Sequence, residues 1–206
     1  MDTKDLPKLY EQRYHDFLIK VVPILEEHLK ERILKYERID KISVRAKSKT
    51  RFVEKAQQKS DNELLKYDDP MNQIQDQIGA RIVTYYLDDI SNVCKIVEDY
   101  YRHIEKHQYI PDKINEFGYE GIHYVLFLPE DIYLSNNFKD NVPKFFELQI
   151  KTLFQHAWSE AEHDLGYKPN YELSKYEKRK IAFTAAQAWG ADYIFNELNQ
   201  KSTLIR

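Results

Sequence analysis

Two acids stand at the edges of apolar runs, Asp76 just before Ile78 and Glu147 at the head of the run Glu147 to Lys151. Alternation in that second run sets Leu148 and Ile150 on one face and Glu147, Gln149 and Lys151 on the other. Phosphoryl-type transfer needs a carboxylate to hold a cation such as Mg²⁺ against phosphate oxygens, and gains from a second beside the attacking hydroxyl. Singly, an Asp before a strand is more often a turn residue. Only the joint pattern marks a site.

Residues 41–60 add Lys41, Arg45, Lys47, Lys49, Arg51, Lys55 and Lys59 against the single acid Glu54. Around a strand-to-helix turn such cations would neutralise a polyphosphate and assist its leaving group, although a solvated basic helix has the same composition. Further on, Gly118-Tyr119-Glu120-Gly121-Ile122-His123 brings a tyrosine and a histidine to the start of a strand. Tyr119 could stack on a base and His123 could donate to a phosphate or ribose; a hairpin with packed aromatics reads equally well. His156, Glu162 and His163 invite a zinc reading, but the histidines lie about two helical turns apart, too far along one axis to chelate one ion. His15-Asp16 is similar to the metal-binding pair of nucleotide hydrolases, without the further ligands such a site needs, and reads as a helix-surface dipeptide.

These groups must be carried by elements that the apolar periodicity predicts. A helical layer runs from Leu6 to Tyr36 on Tyr10, Tyr14, Leu18, Val21, Leu25, Leu29 and Ile33, with Pro23 marking a kink or a break. A strand is expected over Lys41 to Lys47, then a basic helix over Thr50 to Tyr67 closed by Asp68-Asp69-Pro70. A strand over Ile78 to Leu87 follows, and Asp88-Asp89 would cap a helix striped by Ile90, Val93, Val97, Tyr100, Tyr101 and Ile104. Gln108 to Phe117 reads as a loop, Ile122 to Leu128 as a strand and residues 129–141 as a polar excursion. A last strand, Lys144 to Lys151, turns into a helix that carries Trp158 and ends at Gly166, and an Ala- and aromatic-rich helix spans Ser174 to Asn199. The whole predicts an α/β fold, a mixed β-sheet of about five strands flanked by helices. Residues 1–206 are expected to form one unit: N-terminal helices over 1–40, a catalytic core over 41–168 and a C-terminal helix over 169–206.

Composition narrows the class. The 206 residues carry a net charge of only −3, so the basic stretch is a local asymmetry that suits a phosphate-rich ligand. The single cysteine, Cys94, excludes an internal disulfide framework and reads as a small core residue. A charged N-terminus and the lack of a long apolar run point to a cytoplasmic protein with no membrane partner.

Taken in order, the motifs resemble the synthetase domain of the RelA/SpoT family of alarmone synthetases, over roughly Ile42 to Lys168. The basic motif is Arg45-Ala46-Lys47-Ser48 with Lys55, the metal motif Asp76-Gln77-Ile78-Gly79-Ala80-Arg81, the base-stacking motif Gly118 to His123, and the acidic strand Glu147-Leu148-Gln149-Ile150-Lys151-Thr152. Trp158, Glu162-His163 and Tyr167-Lys168 complete the series. The resemblance implies a nucleotidyltransferase-like fold with N- and C-terminal helical extensions, and a pyrophosphokinase that moves the β,γ-pyrophosphate of ATP onto a ribose 3′-hydroxyl and releases AMP. By motif position, Asp76 would hold Mg²⁺ and Glu147 would hold the metal or take the hydroxyl proton. Arg45 and Arg81 would sandwich the adenine of ATP, and Lys47, Ser48 and Lys55 would grip its phosphates. Tyr119 would stack on the acceptor base, His123 would steady the transferring group, and Gln149 would help position the acceptor.

Departures fall on the acceptor side. Lys113 is the only cation between Gln108 and Phe117, and His156 stands where small synthetases tend to have Asn or Asp against guanine. Arg51 and Gly121 each replace a common Ser, and Lys151 a usual Arg. The leading expectation is a stand-alone small synthetase making (p)ppGpp from ATP and GTP or GDP. A rival keeps the chemistry and changes the acceptor to the 3′-CCA end of tRNA, as in toxic small synthetases that pair with a protein antitoxin. A degenerate nucleotide-binding domain fits poorly with intact Asp76, Glu147 and Tyr119. Assembly into a homo-oligomer through the terminal helices is a further expectation of the resemblance, with Phe183, Trp189, Tyr193 and Phe195 as a candidate surface; those aromatics could equally pack against the sheet.

Overall fold

The computed structural model describes residues 5–33, 36–135, 142–166 and 172–204. Its N-terminal layer is helix α1 (Leu6–Arg13), which passes through a π-helical turn (Tyr14–Leu18) directly into α2 (Ile19–Ile33). Pro23 lies inside α2 and does not break it. A proline cannot donate to the carbonyl four residues back and crowds it; here that carbonyl belongs to Ile19, where the π turn has already changed the bonding pattern. The predicted stripe is buried from Tyr10 through Leu18, Val21, Leu25, Leu29 and Ile33, with Tyr14 half-buried. Each of those aliphatic side chains contributes about 1.5–3 kcal/mol by leaving water.

The remaining elements are β1 (Ile39–Ala46), α3 (Lys49–Ala56), α4 (Pro70–Gln73), a 3₁₀ turn (Gln75–Gln77), β2 (Ile78–Thr84), α5 (Leu87–Tyr100), β3 (His103–Tyr109), β4 (Gly121–Phe127), α6 (Glu130–Ser135), β5 (Phe145–Thr152), α7 (Leu153–Gly166) and α8 (Lys175–Leu204). They build one mixed sheet in the order β1-β2-β5-β4-β3, parallel between β2 and β5 and antiparallel elsewhere. Phe146, Leu148 and Ile150 of β5 are fully buried with Ile78 and Ile82 of β2, and Cys94 is buried in α5 as expected.

Several elements depart from the expected ones. α3 ends at Ala56, not at Tyr67, and the chain beyond it turns back through an isolated bridge between Lys59 and Leu65, with Glu63 at a φ of 61°. No apolar residue lies between Ala56 and Leu64 to hold a helix down, and Ser60, Asp61 and Asn62 compete for backbone groups. Asp69-Pro70 opens α4, with the proline in the first turn where its missing N–H costs nothing. α5 stops at Tyr100, so Ile104 belongs to β3, the strand the sequence did not locate: every residue of β3 is exposed, and its Glu, Lys and His residues suit a sheet edge. The C-terminal aromatics do not pack against the sheet, since Phe183, Tyr193 and Phe195 are about half exposed or more. Trp189 instead meets Phe117 and Tyr193, and Phe195 stacks on Phe154.

Candidate active site

Strand register decides which side chains meet. Pairing sets Arg45 beside Gly79, Gly79 beside Glu147, Arg81 beside Gln149, and Gln149 beside His123, so all of these project from one face of the sheet. The opposite face carries Leu148, Ile150, Ile82 and Tyr124 into the core.

Asp76 sits in the 3₁₀ turn that feeds β2, and one of its oxygens, Oδ2, receives the ammonium groups of Lys47 at 2.7 Å and Lys55 at 3.0 Å. Burial alone would push the Asp76 carboxyl up; the two ammonium groups outweigh it and hold the group below the usual carboxylate range. Burial likewise works against the charge on Lys55, and Asp76 more than restores it. The other oxygen, Oδ1, is buried without a hydrogen-bond partner among the described residues. Ser48 caps α3, its Oγ accepting from the Arg51 N–H at 3.4 Å.

Opposite this cluster, Glu147 accepts from His123 Nδ1 at 2.8 Å, and His123 Nε2 meets the Tyr119 hydroxyl at 2.6 Å. With Nδ1 donating to a carboxylate, a neutral imidazole must accept from the tyrosine at Nε2, so the three groups form one directed chain. Burial works against the charge of Glu147, and the bond from His123 overcomes it, leaving the carboxyl lowered. The ammonium of Lys151 lies 4.6 Å above the Tyr119 ring and 3.2 Å from Ser159 Oγ. Burial, then the nearby Arg81 guanidinium, brings Lys151 down to about 8. Arg81 itself binds Glu160 at 2.8 Å and donates to His156 Nδ1 at 3.2 Å, while Gln149 Oε1 is buried without a partner among the described residues.

A buried carboxylate oxygen left unbonded beside two ammonium groups is a hard donor that fits a hard divalent cation. No group of three or more His, Cys, Asp or Glu side chains able to hold a metal occurs among the described residues. A cation here would therefore complete its shell with ligand phosphates and water.

Residues 44–172 match the family described as the region found in RelA / SpoT proteins. The chain belongs to the RelA/SpoT family. No curated protein sequence matches it. Among solved structures, small alarmone synthetase 1 from Bacillus subtilis superposes with a TM-score of 0.75 at 24% identity, over 93% of this chain and 98% of that one. The same enzyme bound to its product pppGpp gives 0.75 at 23% identity, over 95% and 99%. A GTP pyrophosphokinase family protein from Streptococcus pneumoniae gives 0.74 at 25% identity, over 93% of both chains.

Within this RelA/SpoT chain the fold gathers Arg45, Lys47, Ser48, Lys55, Asp76 and Arg81 at one end of the sheet face, and Tyr119, His123, Glu147 and Gln149 beside them. His156 reaches the group through Arg81, and His163 through Arg51 Nη1 at 3.0 Å. Trp158 turns away, its indole N–H bonding Ile181 and Thr184 of α8, so it ties two helices together. Tyr167-Lys168 lies outside the described residues. Sequence reasoning named Lys151 as an acceptor-side departure but gave it no role, and did not assign Glu160 or Tyr109 to the site. Period-two alternation from Glu147 was a usable signal for Lys151. Tyr109, whose ring lies 4.5 Å from that of His123, was hidden in the unlocated strand β3.

Proposed function

We propose that this chain is a pyrophosphokinase that transfers the β,γ-pyrophosphate of ATP to the ribose 3′-hydroxyl of GTP or GDP, forming (p)ppGpp and AMP. The arrangement of Asp76 carries the reading: one oxygen is neutralised by Lys47 and Lys55, and the other is buried with no hydrogen-bond partner among the described residues. Mg²⁺ held by Asp76, with Glu147 as a second carboxylate, would neutralise charge on the triphosphate. Lys47, Ser48 and Lys55 hold the phosphates, and Arg45 and Arg81 flank the adenine. The acceptor base stacks on Tyr119, with Gln149 Oε1 accepting from it. As the 3′-oxygen bonds to the β-phosphorus and the bond to the α-phosphate oxygen breaks, Glu147 takes the hydroxyl proton, oriented by His123. Positioning and charge neutralisation carry the rate, with no covalent intermediate. On this reading the protein acts in the cytoplasm.

One observation favours a second acceptor. Lys113, the lone cation before the Gly-Tyr motif, is tied to Glu116 at 2.6 Å, which leaves the 5′-phosphates of a guanine nucleotide poorly served there. The 3′-CCA end of tRNA presents no 5′-polyphosphate, and an enzyme acting on it would be a toxin restrained by a protein antitoxin. Purified protein is to be given Mg²⁺ and ATP labelled at the γ-phosphate, with GTP, GDP and deacylated tRNA in parallel. Label on guanine nucleotide is the expected result; label on tRNA alone would replace the leading reading with the second, and label on neither would end both.

A further inference from the structure

The helix that precedes the RelA/SpoT match is bonded to both segments that bear the ion cluster. From α1, the Tyr10 hydroxyl donates to the carbonyl of Lys47 at 2.7 Å, and its ring stacks on Phe52 at 3.7 Å between centroids with planes 7° apart. Phe52 lies one turn before Lys55 on α3. Glu11 pairs with Lys49 at 2.5 Å. One turn along from Tyr10, the buried Arg13 guanidinium donates to the carbonyl of Met71 and, at 3.0 Å, to Gln77 Oε1. Gln77, also buried, spends its own N–H groups on the carbonyls of Met71 at 2.8 Å and Ile74 at 3.0 Å. The turn that presents Asp76 is thus laced from beneath, and it meets the basic turn directly through Lys47 N–H to the Gln77 carbonyl at 2.9 Å.

These bonds are more selective than packing requires. Tyr10 could fill its fully buried place as a phenylalanine, and a buried arginine is a costly way to fill space. Both polar tips end on backbone or amide groups immediately flanking Lys47 and Asp76, the two sides of one ion pair.

We propose that Tyr10 and Arg13 are positioning residues for the metal and phosphate end of the site, fixing how far Lys47 and Lys55 stand from Asp76. The proposal rests on the pyrophosphate-transfer reading for its kinetic test. With the spacing fixed, Asp76 keeps one oxygen saturated by lysine; with α1 loosened, the Lys47 carbonyl and the Gln77 amide lose their anchors, and the lysines no longer neutralise the carboxylate and phosphates together. Supporting groups of this kind typically change metal affinity or activity by about 10–100-fold.

The test uses the full chain with Tyr10→Phe, which keeps the ring, and Arg13→Met and Arg13→Lys, each with its melting temperature. Expected for Tyr10→Phe are a near-native melt, a Mg²⁺ half-saturation raised about 5-fold, a kcat lowered about 10-fold and an acceptor KM within about 2-fold of wild type. Arg13→Met should lose about 100-fold, and Arg13→Lys should recover part of it. Activity of Tyr10→Phe within 2-fold of wild type at every Mg²⁺ concentration would overturn the proposal, as would losses that merely follow the unfolded fraction. A second readout separates this failure from that of the function: binding of Mn²⁺ with a non-hydrolysable α,β-methylene ATP analogue. If wild type binds the analogue but transfers to no acceptor, the function is wrong, and weaker Mn²⁺ and analogue binding by Tyr10→Phe still supports the positioning role. Equal binding by the two proteins rejects it.

Discussion

On the side read as holding ATP, the buried carboxylate is paired with cations: Lys47 and Lys55 close on one oxygen of Asp76, and Tyr10, Arg13 and Gln77 hold the backbone below. On the side read as holding the acceptor, Lys151 is buried beside Arg81 with no carboxylate within 4.0 Å among the described residues, Gln149 Oε1 is unbonded, and the preceding loop offers one lysine already spent on Glu116. A buried ammonium held by a ring face and a hydroxyl, with no carboxylate at ion-pair distance among the described residues, is costly, so on this reading an anionic ligand would relieve the acceptor side. On this reading the two substrates would be received differently, the donor by a preformed cradle and the acceptor by a site it completes.

The largest effect should come from the two acids, and they should fail in different ways. Asp76→Asn is expected to abolish transfer, by about 10³-fold or more, and to weaken binding of the ATP analogue, because Lys47 and Lys55 are left facing each other. Glu147→Gln should lose activity as severely while holding the analogue within about 3-fold of wild type, since its neighbour is His123. Isothermal titration of the analogue beside initial rates would check this; equal losses of analogue binding would dissolve the two-sided description.

A smaller effect tests the acceptor side. Lys151→Met should raise the acceptor KM about 10-fold and leave the ATP KM within about 2-fold. Lys151 is brought down to about 8 by burial and Arg81, so wild-type acceptor affinity should fall as pH rises through about 8, where the ammonium loses its proton. Lys151→Arg keeps its charge at that pH and should flatten the profile. The stability sign is opposite: below pH 8 the buried charge is a cost relative to the unfolded chain, so Lys151→Met should raise the melting temperature at pH 7 and gain less at pH 10. A KM profile for the acceptor that is flat from pH 7 to 9 in wild type would remove Lys151 from the site.

How much of this was legible follows from what each signal depends on. The sheet's inner strands, the long helical layer and the buried Cys94 were readable because burial leaves a period in the sequence, as in Tyr10, Leu18, Val21, Leu25 and Leu29. β3 was not, because an edge strand exposed on all its residues needs no apolar alternation, and a run such as His103 to Tyr109 carries none. Within the site, Asp76, Glu147, Tyr119 and His123 stood out as motif residues. The Glu160 partner of Arg81 and the Arg13 contact to Gln77 are joined across 79 and 64 positions of chain respectively, and only the register and the helix crossing bring them together. Trp158 is the converse case: in the sequence it completes the motif series, while in the fold its N–H is claimed by α8.

The smallest effect sharpens the comparison at the back of the sheet, where Thr152 ends the strand of Glu147 and Lys151. Thr152 caps α7, its Oγ accepting from the Gln155 N–H at 3.1 Å, and donates its hydroxyl to Asp192 Oδ2 of α8 at 2.7 Å. Asp192 is buried, its Oδ1 has no partner among the described residues, and burial, aided by Glu120, pushes its carboxyl up to about 7 against the bond from Thr152. Between about pH 4 and 7 the folded chain therefore binds a proton that the unfolded chain has released, so this group's contribution to stability falls as pH rises through that window. Asp192→Asn keeps an oxygen for Thr152 and carries no charge. It should stabilise the protein by about 1–3 kcal/mol at pH 8, gain nothing at pH 4, and leave both substrate KM values within about 2-fold. Chemical denaturation at the two pH values measures the difference. A gain that is the same at both would mean that the carboxylate is solvated in the folded protein, and a shift confined to the acceptor KM would mean that α8 reaches through Thr152 into the side of the cleft that the ligand completes.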